Sequence, residues 1–268
     1  MSKNAKSNVE GYDQELQASL LGASLKMKLS IRNLSINGIG HLKSFVSNKG
    51  FLAISVVSLL EIALNIGRIF PDSQYYVGFT LFLLGRQVDF YHIIAIRPMI
   101  PLIAAGLSPI FGINLSFGII SAFFWVAGTV VIYHLTKLLL DDEKYSLASA
   151  LLYTTSRPLL YYGAAVLTDS AGFFFTCLII YLTFLRDRTK APSKVYFIDG
   201  LVCAVSTLFR ESSFYPLLFM LAYRIKNKRG ILETIAAFVA VFVITAALLC
   251  WVGLNLTIYL EKFRPIWE

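Results

Sequence analysis

Two acids and three arginines stand at the ends of apolar runs in this sequence: Asp72, Asp169, Arg97, Arg157 and Arg210, with Glu211 directly after the last. These residue types suit a phosphorylated substrate and a proton acceptor. The planar guanidinium fork grips phosphate oxygens in a bidentate way, and a carboxylate beside it takes a proton. Ionisable groups flush with apolar sequence are costly at membrane depth and by default mark a pathway or a site. The alternative is that they pair with one another, Asp169 with Arg157 or Arg210 for instance, and simply hold helices together. Asp72 is the sharpest of the set: "RIFPDSQYYVGFT" places it behind Pro71 and ahead of Tyr75 and Tyr76, just after the first long apolar run.

The elements that must position these groups are themselves apolar. The chain of 268 residues is 57% hydrophobic and 15% charged with a mean hydropathy of +0.68, which predicts an all-α, polytopic transmembrane bundle rather than a soluble domain. Windows that approach the roughly 20 residues of one crossing run over 51–70, 113–137, 145–163, 169–185, 195–209, 214–223 and 231–258, seven spans in all. The fifth and sixth are short. Either their ends run into "FRESSFYP", or the pair is a broken, partly re-entrant hairpin, a backbone tolerated at membrane depth only against protein or a wet cavity. Both choices put Arg210 and Glu211 at or below the outer surface. The segment "YYVGFTLFLLGRQVDFYH" predicts a helix in an external loop, with Gly78 and Gly85 on one face.

The net charge of +8 does not point to nucleic acid, because the lysines and arginines collect in short segments between apolar runs. The tail to Lys49, "RDRTKAPSK" and "RIKNKRG" are the basic ones, and they set the amino terminus on the cytoplasmic side. The turn "DDEK" is the exception. Residues 1–49 then form a basic cytoplasmic tail, its first 18 or so too polar to order and residues 20–49 either a basic amphipathic stretch on the inner leaflet or a floppy tail. Residues 50–268 form the membrane module, with an external loop over 71–112. The opening "MSKNAKSNVEGYDQELQ" lacks the apolar core of a signal peptide. Cys177, Cys203 and Cys250 lie within apolar runs and read as small buried hydrophobes, not as a disulfide framework or metal site. His41, His92 and His134 are widely separated, and only His92 falls in the external loop. Glu61 reads as structural, paired either with Arg68 two turns later or with a neighbouring span. Without a Gly-rich phosphate loop, a cytosolic nucleotide-sugar donor is not expected.

From residue 50 to about 260 the chain resembles the membrane-embedded GT-C glycosyltransferases, in particular the protein mannosyltransferase and lipid A aminoarabinose transferase branch. The resemblance rests on "RIFPDSQYY", "RPMIPLIAAGLSPIFG", "LYYGAAVLTDSAGFFFTCLIIYL" and "STLFRESSFYPLLFMLAYR", in that order. It implies a donor of the polyprenyl-phosphate hexose type, an acceptor hydroxyl on protein, lipid or glycan, inversion at the sugar carbon, and a multi-pass location in a prokaryotic plasma membrane or the endoplasmic reticulum. Asp72 aligns with the catalytic acid of the first external loop, and Tyr75, the tyrosine that follows it, is implied to be a donor- or substrate-binding residue. Asp169 aligns with a second acid that in some relatives helps hold a divalent metal. Arg97 and Arg210 fall where contacts to the donor phosphate are implied, with Arg157 beside them. Ser73 stands where many protein mannosyltransferases carry Glu, which counts against a protein acceptor. The chain ends at Glu268, where members usually continue, so a minimal module, a fragment or an inactive relative is expected.

The competing expectation, from another class, is a non-enzymatic transporter or lipid-handling carrier whose broken hairpin and embedded charges form a translocation site. Such proteins often carry internal repeats with paired discontinuous helices, and here a single short pair is legible.

Overall fold

The computed structural model describes residues 49–66, 68–86, 97–189 and 192–251. The residues before Lys49, on which the expected basic tail falls, the loop segment with His92, and the end of the seventh window lie outside the described residues. Of the two units into which the chain divides, Met1–Ala53 and Ile54–Glu268, the second carries the helical packing and the ionisable cluster.

Every regular element among the described residues is helical: α1 (Lys49–Asn65), α2 (Ser73–Leu83), α3 (Met99–Phe111), α4 (Ile113–Leu140), α5 (Glu143–Thr154), α6 (Arg157–Tyr162), α7 (Asp169–Thr189), α8 (Ser193–Phe209), a 3-10 turn (Glu211–Ser213), α9 (Phe214–Asn227) and α10 (Ile231–Trp251). Two of them, α4 with 28 residues and α7 with 21, are long and apolar enough to cross a membrane on their own. At a 1.5 Å rise they measure roughly 42 and 32 Å. Residues 52–65 of α1, all of α3 and residues 231–247 of α10 are shorter apolar helices.

The third window is not one helix. The chain breaks after Thr154 and restarts at Arg157–Pro158, because a proline cannot donate into the preceding turn and pushes the residue before it out of helical geometry unless a new helix starts there. The acidic turn "DDEK" is a pair of caps. Asp141 closes α4 in the left-handed region at φ 52°, and the Asp142 carboxylate accepts from the backbone N–H groups of Lys144 at 2.7 Å and Tyr145 at 3.3 Å to open α5. The helix after Asp72 ends at Leu83, and Gly85 beyond it takes φ 67°. Gly78 and Gly85 therefore do not share a helix face; the second glycine supplies the positive φ that stops the helix.

Helices α4 and α7 start at the same end of the bundle, where α8 finishes. Tyr76 and Phe79 of α2, Ile100 and Ala104 of α3, Phe117, Ile120 and Phe124 of α4, Ala171 and Phe175 of α7, and Phe209 of α8 form one buried cluster there. Phe209 is its keystone, with its ring 5.2 Å from Phe124 and 4.9 Å from Phe175. At the opposite end the fully buried Asp199 carboxylate of α8 accepts from Arg186 of α7 at 3.2 Å and from Arg224 of α9 at 2.6 Å. Arg224 also donates to Thr234 of α10 and lies over the ring of Tyr196. Four helices are tied at one carboxylate. Around the bundle, leucine, isoleucine, valine and phenylalanine side chains of α1, α9 and α10 point outward, among them Leu60, Leu64, Leu218, Leu232, Val239 and Phe242.

Candidate active site

The ionisable residues singled out from the sequence gather at the end of the bundle where α4 and α7 begin. Two loops make the floor. Residues 68–72 join α1 to α2, residues 163–168 join α6 to α7, and the Val166 N–H bonds the Arg68 carbonyl at 3.0 Å. Ser73, fully buried, fixes the turn that carries Asp72: its Oγ accepts from the Phe70 N–H at 2.9 Å. Asp72 then stands exposed at the N-terminus of α2, without a capping bond to the helix and without an ion pair among the described residues.

One turn further along α2, Tyr76 is 1% exposed and its hydroxyl carries the network. It accepts from Arg97 Nη1 at 2.5 Å and lies 3.4 Å from Thr168 Oγ1. Arg97, just before α3, grips both oxygens of Glu211 with Nε and Nη2. Arg210 Nη1 pairs with Asp169 Oδ1 at 2.8 Å and donates to Thr168 Oγ1 at 3.3 Å. A chain of contacts thus runs from Glu211 through Arg97, Tyr76, Thr168 and Arg210 to Asp169. The extended backbone of Arg210, at φ −159°, turns its side chain and that of Glu211 toward different partners. Gly172 makes room for it: a Cβ there would sit 2.5 Å from Arg210 Cδ.

Burial by itself would raise the Glu211 carboxyl, but the hydrogen bonds and charge of Arg97, with the charge of Arg210, outweigh it and hold the group below the ordinary carboxylate range. Arg97 is affected in the complementary way. Desolvation works to lower it, while Glu211 and Tyr76 more than offset that and bind its proton harder.

Arg157 is placed differently from Arg97 and Arg210. It lines a cavity of about 430 Å³ together with Pro158, Tyr161 and Tyr162, and it makes no hydrogen bond or ion pair among the described residues. Arg68 lies 5.3 Å over the Tyr161 ring, and no ion pair joins it to Glu61 among the described residues. Asp169 pairs with Arg210, one of the two partners the sequence offered. Tyr75 packs against the apolar cluster, and its neighbour Tyr76 carries the polar contacts. Tyr76 and Thr168 were missed from sequence. Helical spacing held the signal for the tyrosine, since residue 76, not 75, lies four on from Asp72.

Among the described residues no group of three His, Cys, Asp or Glu side chains is arranged to hold a metal ion. Asp169, the acid aligned with a metal-holding position in some relatives, has Oδ1 engaged by Arg210.

Residues 97–252, more than half of the chain, match the family described as dolichyl-phosphate-mannose-protein mannosyltransferase. The chain belongs to that family. As a member it is a membrane glycosyltransferase of the GT-C type. The matched stretch holds Arg97, Arg157, Asp169, Arg210 and Glu211 and starts after Asp72 and Tyr75. No curated protein and no solved structure matches the chain.

Proposed function

We propose that this family member transfers a hexose-type sugar from a polyprenyl-phosphate donor to an acceptor hydroxyl on the external face of the membrane, with Asp72 as general base. The observation that carries the reading is the state of Asp72: an exposed carboxylate without a partner among the described residues, one helical turn from a tyrosine that is bonded to Arg97 and linked through Thr168 to Arg210. Every other acid of the cluster is already held by an arginine.

The acceptor O–H gives its proton to Asp72 while its oxygen bonds to the anomeric carbon. The bond from that carbon to the phosphate oxygen breaks, and its electron pair leaves with the lipid phosphate. With a second pKa of about 6, that leaving group needs no proton, unlike the sugar alkoxide that obliges glycosidases to pair an acid with a base. It does need positive charge fixed in advance in a site of low dielectric, and the arginines at this end supply it. Displacement on the face opposite the phosphate gives inversion, as the family resemblance implies.

The test is incubation of purified protein with a panel of radiolabelled polyprenyl-phosphate hexoses. Wild type should consume one of them, and Asp72→Asn should lower turnover by about 10²–10⁴-fold with unchanged thermal unfolding. Unchanged turnover in the amide variant would sink the base assignment. Lipid translocation that survives the substitution while no sugar is transferred would support the carrier instead.

A further inference from the structure

We infer that the end of the bundle opposite Asp72 holds the headgroup of an anionic phospholipid, at a site centred on Arg186 between the ends of α7 and α9. The site lies apart from the candidate active site and does not depend on sugar transfer.

The argument begins with an uneven pairing. The Asp199 carboxylate is fully buried and sets one negative charge against two guanidiniums. Arg224, its side chain 4% exposed, holds Oδ2 at 2.6 Å, donates to Thr234 and covers the Tyr196 ring. Arg186 reaches the same carboxylate through Nε and Nη2 at 3.2 and 3.3 Å, and its side chain stays 22% exposed. One positive charge is left over, and a charge withdrawn from water is stabilised only by a partner. The surplus falls on Arg186, the looser and more open of the two, whose Nη1 has no hydrogen bond among the described residues. Its neighbour Asp187 is already taken up by the Tyr223 hydroxyl at 3.0 Å and the Asn227 amide at 3.3 Å.

The surroundings add charge of the same sign. Arg188 lies in the last turn of α7, Lys194 in the first turn of α8 and Lys226 in the last turn of α9, followed by Lys228 and Arg229, and all five are exposed. Glu233, in the first turn of α10, does not cancel them. The other turn at this end has the opposite character, with Asp141, Asp142 and Glu143 against Lys144, so the cationic surface is confined to α7–α10. A soluble anion would need the cations alone. Here apolar side chains stand directly beside them: Ile198 precedes Asp199, Ile225 separates Arg224 from Lys226, Leu232 opens α10, and all three face outward. A phospholipid uses both features, with its phosphate on the guanidinium and its acyl chains along the apolar flank. Basic pockets between helices at a membrane surface recognise anionic headgroups in this way.

The experiment measures equilibrium binding of radiolabelled dioleoyl phosphatidylglycerol to the full chain in micelles of an uncharged detergent, with dioleoyl phosphatidylcholine as the control for the acyl chains. Wild type is compared with Arg186→Gln, Arg186→Lys, Lys144→Gln and the double variant Arg188→Gln with Lys226→Gln. Wild type should prefer phosphatidylglycerol by at least about tenfold. Arg186→Gln should lose about fivefold or more of that preference, Arg186→Lys should recover part of it, and Lys144→Gln, in the acidic turn, should keep it. If Arg186→Gln does not fold, the double variant, which alters exposed side chains only, carries the comparison and should lose about tenfold. Equal binding of the two lipids by wild type overturns the inference. So does a preference kept in full by Arg186→Gln, or by the double variant where that one stands in for it, or a loss in Lys144→Gln as large as theirs. Displacement of the lipid by inorganic phosphate, but not by chloride at the same ionic strength, would name a soluble anion and overturn the lipid assignment. Asp72→Asn should bind phosphatidylglycerol as wild type does, so that its effect on sugar transfer bears on the proposed function alone.

Discussion

At the scale of the residue, the pair Arg97–Glu211 sets a pH dependence whose sign follows from its charges. The folded pKa of Glu211 lies below its value in the unfolded chain, so the pair contributes fully above the ordinary Glu value of about 4.3 and its contribution disappears as pH falls through the depressed folded value. Arg97 stays charged throughout. Thermal melts of wild type and Glu211→Gln should therefore differ at neutral pH and converge in acid; a gap that widens on acidification would contradict the pairing. The sequence showed the right ionisable types at this end but not their partners. Arg97 and Glu211 stand 114 positions apart, and no periodicity reports a contact of that separation. The same is true of Asp199, Arg186 and Arg224. They sit in or beside segments that read as solvated basic loops, yet Asp199 and Arg224 are buried.

At the scale of the element, close approach explains what apolar windows could not. Gly200 of α8 faces α10 so tightly that a Cβ would lie 2.6 Å from the Thr234 carbonyl oxygen and 2.8 Å from Ala237 Cβ. Backbone cannot give way as a side-chain tip does, and small residues at a helix crossing exist for this approach. Gly200→Ala should cost about 1–3 kcal/mol of stability, read as a lower unfolding temperature in detergent. Gly172→Ala is the contrasting case: the obstacle is the flexible Arg210 side chain, so unfolding should change little while the Arg210–Asp169 pair shifts and turnover falls. Asp199→Asn removes the anion between two arginines and should cost about 3–5 kcal/mol. Helix existence was legible because runs such as residues 113–137 are apolar throughout. The break at Thr155–Ser156 was not read, although Pro158 announced it, because the apolar window continued across it.

At the scale of the whole molecule, cationic residues mass at one end and the candidate site occupies the other. Lys194, Lys226, Lys228 and Arg229 flank the turns around Asp199, while Asp72, Arg157 and the Arg97 network lie where α4 and α7 begin. If the basic end faces the cytoplasm, then in a chain stripped of Cys177, Cys203 and Cys250, a reporter at Arg229→Cys should react with an impermeant thiol reagent only from inside. One at Gln74→Cys should react only from outside. Labelling of both from one side would reverse or abolish the predicted topology. Composition made the membrane class legible because apolar side chains still cover the outside of the folded bundle, a pattern that a water-soluble chain of this length avoids.

The carboxylate of Asp199 bears on movement as well as stability. Sliding α7, α8, α9 or α10 past one another there would strand a desolvated ion, so that end behaves as the rivet of a pair of shears. Any opening that admits a lipid-linked donor must then come from the blades: the loops around Asp72 and Tyr161 and the Arg210 bend, where the backbone is irregular and the contacts are made by side chains that can let go.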